Sequence, residues 1–234
     1  MGLLRYFLGI EVKQTENDIF ISQAKYVAGI LKRFKMQKNK PAPTPTFMEL
    51  KLSKKNCSSN VNLTLYKSMI GSLMYLTATR MDIMYAVSLV SKFMETHWQV
   101  AKRVLRYVNG TKQYGAWYTA TSDSKLGGYT NSDWAGSVDD RKSMSRYVFH
   151  LGSEAISWAS KKQPTMSLSI AEAEYVAATC QAVWMRRMLR DLSHDQERMT
   201  TIFYDNTSTI ALSKNLFLIK GPSILMLNII LSES

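Results

Sequence analysis

Apolar positions change their period several times along this chain, and each change marks out a part of it. Residues 3–12 (LLRYFLGIEV) and 18–23 (DIFISQ) are β-rich runs on either side of polar KQTEN, which predicts a hairpin. From Ala24 to Met36 the period lengthens: Tyr26, Val27, Ile30, Leu31 and Phe34 recur at helical spacing beside Lys25, Lys32, Arg33 and Lys35. Residues 37–60 are polar and interrupted by Pro41, Pro43 and Pro45, the pattern of a linker. Helical spacing returns over Leu65–Thr79, over Asp82–Met94 with Asp82 as the N-cap, and over His97–Val108. In the last of these, Lys102, Arg103 and Arg106 lie opposite Val100, Val104 and Leu105, and Gly110 stops the run.

Beyond Gly110 the alternation shortens to two. Strands are predicted near 114–120, 125–134, 145–151 and 154–160, then a helix over Ser169–Leu192, a strand at 201–205 and a short helix over Thr207–Lys214. Consecutive strands followed by helix, strand and helix make a mixed α/β arrangement. The last stretch, LFLIKGPSILMLNIILSES, is apolar without a clear period and nearly devoid of charge. The expected organisation is a hairpin and helix at 1–36, a linker at 37–60, a helical region at 61–113, an α/β domain at 114–215 and a tail at 216–234.

The chain has 234 residues and 46% hydrophobic content, enough for a packed core and against global disorder. Thirty basic residues against 18 acidic ones leave a formal charge of +12, which favours polyanionic partners, nucleic acid first among them. Cys57 and Cys180 form no CxxC pair, so neither a disulfide scaffold nor a zinc site is expected. The N-terminus lacks a charged segment followed by a continuous apolar one, and no apolar run approaches the ~20 residues that span a bilayer. The expectation is an intracellular protein without a membrane partner.

Three acids stand at positions where separate elements could bring them together: Asp133 near a strand end, Glu174 inside a helix and Asp205 at a strand's last position. Carboxylates so gathered can hold Mg²⁺ and support phosphodiester hydrolysis. Dispersed acids are equally at home on a solvated surface, and spacing alone leaves both open.

Motifs narrow the choice. SDWAGSVDDRKS, AISWASKKQP, AEAEYVAA, VWMRRML and YDNTSTIALSKN resemble, in order and spacing, the ribonuclease H domain of copia-type retrotransposon polyproteins. Upstream, LLRYFLGIEV, MIGSLMYLTATR, DIMYAVSLVSKFM and HWQVAKRVLRYVNGTKQYG resemble the end of the reverse transcriptase and its connection in the same polyproteins. So many ordered blocks, covering the chain up to about Asn215, are far more specific than any one short motif. The resemblance implies a ribonuclease H-like three-strand meander plus helix–strand–helix, preceded by a β-hairpin and a mostly helical connection. It also implies polymerase aspartates upstream of residue 1, and no YxDD-like string occurs here.

In the family, four acidic positions surround two Mg²⁺ or Mn²⁺ ions, and the substrate is an RNA–DNA hybrid. The first acid belongs to a motif like YTDSDWAG; here the string is YTNSDWAG, with Asn131 at that place. The second maps onto Glu174 and the third onto Asp205, where Tyr204 replaces the cysteine of CDN. The fourth lies in a motif resembling HIDV, which is absent. The tail matches such a continuation translated in another reading frame, which puts Met226 over the fourth aspartate. An amide offers one neutral oxygen where a carboxylate offers charge to both cations. Asp133 shares the strand face but lies roughly 6.5 Å further along, a poor substitute.

Other departures accompany these. The helix between Tyr175 and Trp184 is about three residues shorter than in similar sequences, which turns the downstream face by roughly 60°. Arg146 stands for a glycine, and Met81 for the proline of TRPDI. The resemblance therefore implies a remnant without cleavage activity and with no metal held productively. The alternatives are a non-catalytic nucleic-acid-binding module using Arg103, Arg106, Lys161, Lys162, Arg186 and Arg187, or a residual metal-dependent ribonuclease H. The frameshifted tail is expected to pack poorly or as an opportunistic segment, exposed residues such as Leu225, Leu227, Ile229 and Ile230 then forming an aggregation-prone patch. Arg103–Arg106 also spells RxLR, a string associated with secreted effectors; inside an amphipathic helix it reads as coincidence.

Overall fold

The computed structural model describes residues 4–47, 62–92, 98–120, 124–133, 144–162, 170–204 and 227–231, the last five as backbone. Residues 132–133, 161–162 and 170–178 are likewise described by their backbone alone. The chain divides into two compact units, Met1–Ala120 and Thr121–Ser234.

The first unit opens with β1 (Tyr6–Phe7), β2 (Ile10–Gln14) and β3 (Asp18–Ser22). The apolar run 3–12 is thus itself folded back. Leu8 and Gly9 both take positive φ, 46° and 82°, and close a tight turn between β1 and β2. Glycine meets this demand without cost, whereas Leu8 is an uncommon residue there. Its carbonyl accepts a short hydrogen bond from the Tyr75 hydroxyl, which anchors the turn on a helix. Between β2 and β3, Thr15 closes the second turn, its hydroxyl oxygen accepting from the Asp18 N–H at 3.0 Å.

Four helices follow: α1 (Ala24–Arg33), α2 (Leu63–Leu76), α3 (Met84–Lys92) and α4 (Trp98–Gly110). Asn62 caps α2 by accepting from the Leu65 N–H at 3.1 Å. Their apolar stripes meet in one core where Leu31, Met69, Leu73, Ile83, Val104 and Leu105 are fully buried. Tyr66 also sits in it, donating to the Val90 carbonyl at 2.9 Å, and burial pushes its hydroxyl up to about 12.

Asp82 does not cap a helix as its position predicted. It lies in a 3-10 turn, Met81–Ile83, that follows Arg80 and leads into α3. Its carboxylate takes both the Nε and an Nη of Arg80, at 2.8 and 2.7 Å. The same guanidinium donates to the Thr111 carbonyl and hydroxyl at 2.9 and 2.7 Å and lies over the rings of Tyr107 and Tyr114. A buried arginine needs all its donors matched, and this carboxylate was worth more to Arg80 than to a helix end.

The strand at 114–120 corrects the expected boundary at 113/114. As β4 (Gly115–Thr119) it pairs antiparallel with β3, Ile19 opposite Tyr118 and Ile21 opposite Ala116, in the order β1-β2-β3-β4. It therefore completes the first unit's sheet rather than opening the second domain.

The second unit holds β5 (Leu126–Asp133), β6 (Met144–Leu151), β7 (Glu154–Lys162), α5 (Ile170–Asp191), β8 (Thr200–Tyr204) and β9 (Leu227–Leu231). The meander forms as expected, β5–β6 and β6–β7 both antiparallel, and β8 lies parallel to β5 on its other side. The order β7-β6-β5-β8-β9 is a mixed sheet. Core contacts run between α5 (Ala182, Met185, Leu189) and one sheet face (Leu126, Phe149, Ile202, Tyr204). Gly128 is required there: a Cβ on it would come within 2.7 Å of the Phe149 ring.

Part of the tail joins the sheet. Leu227–Leu231 pairs in parallel with β8, Ile202 opposite Ile229, and supplies a fifth strand. An apolar, β-branched string suits an unpaired sheet edge whatever its origin. The expected helix at 207–214, the residues from Asp205 to Met226 and the side chains of Leu227, Ile229 and Ile230 lie outside what the structure describes.

Candidate functional site

Strand pleating fixes where residue 131 stands. Leu126 and Thr130 are buried and Gly128 lies beneath Phe149, so even-numbered positions of β5 face α5. Tyr129 therefore points to the other face, where it stacks on Phe203 at 4.8 Å and 16° and approaches His150 at 5.7 Å. Asn131 shares that face, half-buried and opposite Arg146 in the register. Asp133 follows on the same face by position, opposite Met144. Glu174 lies within α5, but its side chain falls outside the described residues, as do Asp205 and Met226 entirely. The predicted meeting of Asn131, Glu174 and Asp205 thus has one described side chain, on the sheet face away from the α5 core contacts. Among the described residues no group of three or more His, Cys, Asp or Glu could hold a metal ion.

The basic residues divide into two kinds. Arg186 is buried, donating to the carbonyl of Arg198 at 2.8 Å, to the Thr200 hydroxyl at 2.9 Å and, by a short bond, to the carbonyl of Gln196. Burial first, and Arg190 after it, hold its guanidinium below the usual value. It fastens the α5–β8 connection and presents little to solvent. Arg187, its neighbour, is exposed. Lys161 and Lys162 end β7 opposite Ser145 and Met144, their side chains outside the description.

Arg103 and Arg106 are half-buried on α4 and bind residues 37–47, which sequence alone presented as free linker. Arg103 donates to the Thr44 hydroxyl at 2.9 Å and lies 4.0 Å over the Phe47 ring. Arg106 donates to the Lys40 carbonyl at 2.7 Å, and its own carbonyl accepts from the Ala42 N–H at 3.3 Å. Asn109 reaches the Asn39 carbonyl at 3.0 Å, and Pro41 packs beside Gly110. Residues 37–47 therefore run as a strap along α4, antiparallel to it. No hydrophobic period marks such a strap; the only signal was the polar i, i+3 row Arg103, Arg106, Asn109.

The chain is 40% identical over 231 residues to the retrovirus-related Pol polyprotein from transposon TNT 1-94 of Nicotiana tabacum, covering 92% of this chain and 17% of that one. It is 39% identical over 219 residues to the corresponding polyprotein of transposon RE1 of Arabidopsis thaliana, covering 91% of this chain and 15% of that one. An uncharacterized mitochondrial protein of A. thaliana, AtMg00810, is 36% identical, with 86% of this chain and 85% of that one covered. The chain belongs to the copia-type retrotransposon Pol polyproteins. It spans about a sixth of the length of the two polyproteins. No protein-family model matches it. Among solved structures, foamy viral protease-reverse transcriptase in complex with dsDNA aligns with 98% of this chain and 44% of its own, at 12% identity and a TM-score of 0.49. The secreted RxLR effector protein 161 of Plasmopara viticola is 47% identical over 128 residues, covering 51% of this chain and 90% of that one. Here the RxLR letters are core and strap: Val104 and Leu105 are fully buried, and both arginines hold residues 37–47.

Among the described residues the donors do not fit the divalent metal that the copia-type family implies. Position 131 offers a neutral amide in a row with Arg146, a cation, where two metal ions would need negative charge. No helix among the described residues is long and apolar enough to cross a membrane.

Proposed function

We propose that this chain is a remnant of a copia-type Pol polyprotein that no longer cleaves RNA and retains electrostatic binding of nucleic acid. The observation that carries the first half is Asn131. It occupies the β5 position where the family's motif has its first aspartate, beside β8, whose last residue precedes Asp205. Losing a charged ligand, with a second-shell partner disturbed, already costs much of a site's metal affinity. The absence of the HIDV-like motif removes the fourth acid as well. The net charge of +12 supports the second half, because phosphate contacts need only positive charge.

The experiment is a cleavage assay on an RNA–DNA hybrid in Mg²⁺ and in Mn²⁺, with Glu174→Gln run alongside. The expected result is no cleavage by either protein. Asn131→Asp alone should recover little, since the fourth acid stays missing. Cleavage by the natural sequence that disappears in Glu174→Gln would overturn the inactive reading and assign a ligand role to Asp133 or a bound water. Cleavage that persists in Glu174→Gln identifies a contaminating nuclease.

A further inference from the structure

The strap along α4 is the most one-sidedly charged part of the molecule. Between Ala24 and Phe47 there is no Asp or Glu, and none between Trp98 and Lys112. Lys32, Arg33, Lys35, Lys38 and Lys40 fall within nine residues, and all five are exposed. None of them pairs with a carboxylate among the described residues. Arg103 and Arg106 add two guanidinium groups directly beneath the strap, and Lys102 sits one residue away with its ammonium 5.1 Å from the Trp98 ring. Like charges gathered within a Debye length of about 8–10 Å repel one another and destabilise the fold unless an anion relieves them.

The backbone beneath these lysines is held. Lys35 takes φ 55° just past the end of α1, with its N–H donating to the Lys32 carbonyl at 3.1 Å. The N–H of Met36 donates to the Leu31 carbonyl at 2.8 Å and its side chain enters the core. Asn109 then fixes the carbonyls of Gln37 and Asn39, and Arg106 that of Lys40. The residues flanking Lys38, and Lys40 itself, are thus anchored before any partner arrives, which lowers the ordering cost of binding.

We infer that Lys35, Lys38 and Lys40, with Lys32 and Arg33 beside them, form a phosphate-binding surface for a nucleic-acid duplex. In it Arg103, Arg106 and Asn109 act as positioning residues for the strap rather than as the contacts themselves. This deepens, and rests on, the proposal that the chain binds nucleic acid. The surface recognises the sugar-phosphate backbone through its charge, the part of a duplex that is the same for every sequence.

The test is a fluorescence-anisotropy titration with a labelled RNA–DNA hybrid of mixed sequence, over about 50 to 200 mM salt. Two charge variants are compared with the natural protein: the triple Lys35→Gln, Lys38→Gln, Lys40→Gln, and the double Lys38→Glu, Lys40→Glu. All three sites are exposed, and circular dichroism checks that each variant folds. The triple variant should bind more weakly, with the slope of log K against log salt shallower by about 0.9 for each lost contact. Asn109→Ala removes no charge and should weaken binding while leaving that slope nearly intact. If the natural protein binds and both charge variants bind with its affinity and slope, the site is elsewhere and the broader binding proposal survives. If the natural protein shows no binding at about 50 mM salt, both proposals fail together.

Discussion

Among the described residues each unit buries one arginine, Arg80 and Arg186, and the two are satisfied in different ways. Arg80 meets a carboxylate, a carbonyl, a hydroxyl and two aromatic rings, drawn from as far along the chain as Thr111 and Tyr114. Arg186 meets only carbonyls and a hydroxyl, all within 10 to 14 residues of itself. A carboxylate compensates charge, whereas carbonyls offer dipoles alone. The first unit is accordingly closed by side chains reaching across sequence, at Arg80 and again along the strap. The second is closed by its sheet, with Arg186 trimming a local connection. The same contrast bears on function. Charge in the first unit is abundant and anchored. In the second, the position where the proposed function expects a lost acid holds Asn131.

The largest effect should come from breaking the first closure. Arg80→Ala removes a fully buried side chain and leaves the more exposed Asp82 without its cation and Thr111 without two donors. Truncating so large a buried side chain costs about 3–5 kcal/mol, most of it lost packing rather than the screened ion pair. Urea unfolding read by hydrogen exchange should show protection lost across α4 and β4, with β5 to β8 unchanged. An exchange pattern equal to that of the natural protein would mean the clasp adds nothing to the first unit.

Arg186→Met tests the second closure. The Gln196 and Arg198 carbonyls can turn to water, so the expected loss is smaller, about 1.5–3 kcal/mol. Exchange should rise in 195–200 and β8 while α4 stays protected. Loss of protection in both units would show that they do not behave as separate closures.

The elements that rest on local pattern were legible in the sequence. Helices α1 to α5 and the β5–β6–β7 meander follow from apolar spacing, and the strand that becomes β8 stands where the family the motifs resemble has one. What escaped depends on partners distant in sequence. The β4 run alternates like its successors, and only its pairing with β3 assigns it to the first unit. Residues 37–47 look like a linker because prolines and lysines carry no period; their order comes from α4. Asp82 has the right type for a helix cap, but it serves Arg80, which Thr111, 31 residues further on, holds in place. At the candidate site the identity of residue 131 was plain, as was its consequence for charge. Its sheet face needed the burial of its neighbours Leu126 and Thr130.

A sharper probe of the second unit is Gly128→Ala. The added Cβ would stand 2.7 Å from the Phe149 ring, which is fully buried and packed against α5. Overpacking of this kind costs about 1–3 kcal/mol. Thermal unfolding of the double variant Gly128→Ala with Phe149→Leu should recover part of the loss, because the smaller side chain leaves room. No recovery would place the cause in the strand backbone rather than in the ring contact.

The smallest expected effect is the pH response of the Arg80 clasp, and its sign can be worked out. Burial acts to raise the Asp82 carboxyl; the hydrogen bonds and charge of Arg80 outweigh it, with Tyr107 helping, and hold the group below its ordinary value of 3.8. A carboxyl whose folded value is depressed favours folding while it is ionised. Its contribution is fully present above 3.8 and is lost as pH falls through the depressed folded value. The Asp82 side chain keeps 31% of its exposure, so solvent screens the pair and the change is modest. Tyr107 mirrors it at the other end. Burial first, then the hydrogen bond and charge of Asp82, raise its hydroxyl, so its contribution is lost as pH climbs past 10.0. Asp82→Asn should flatten the acid limb of the first unit's stability while leaving that of the second unit in place. An acid limb of unchanged slope in that variant would assign the effect to other carboxylates and remove Asp82 from the account.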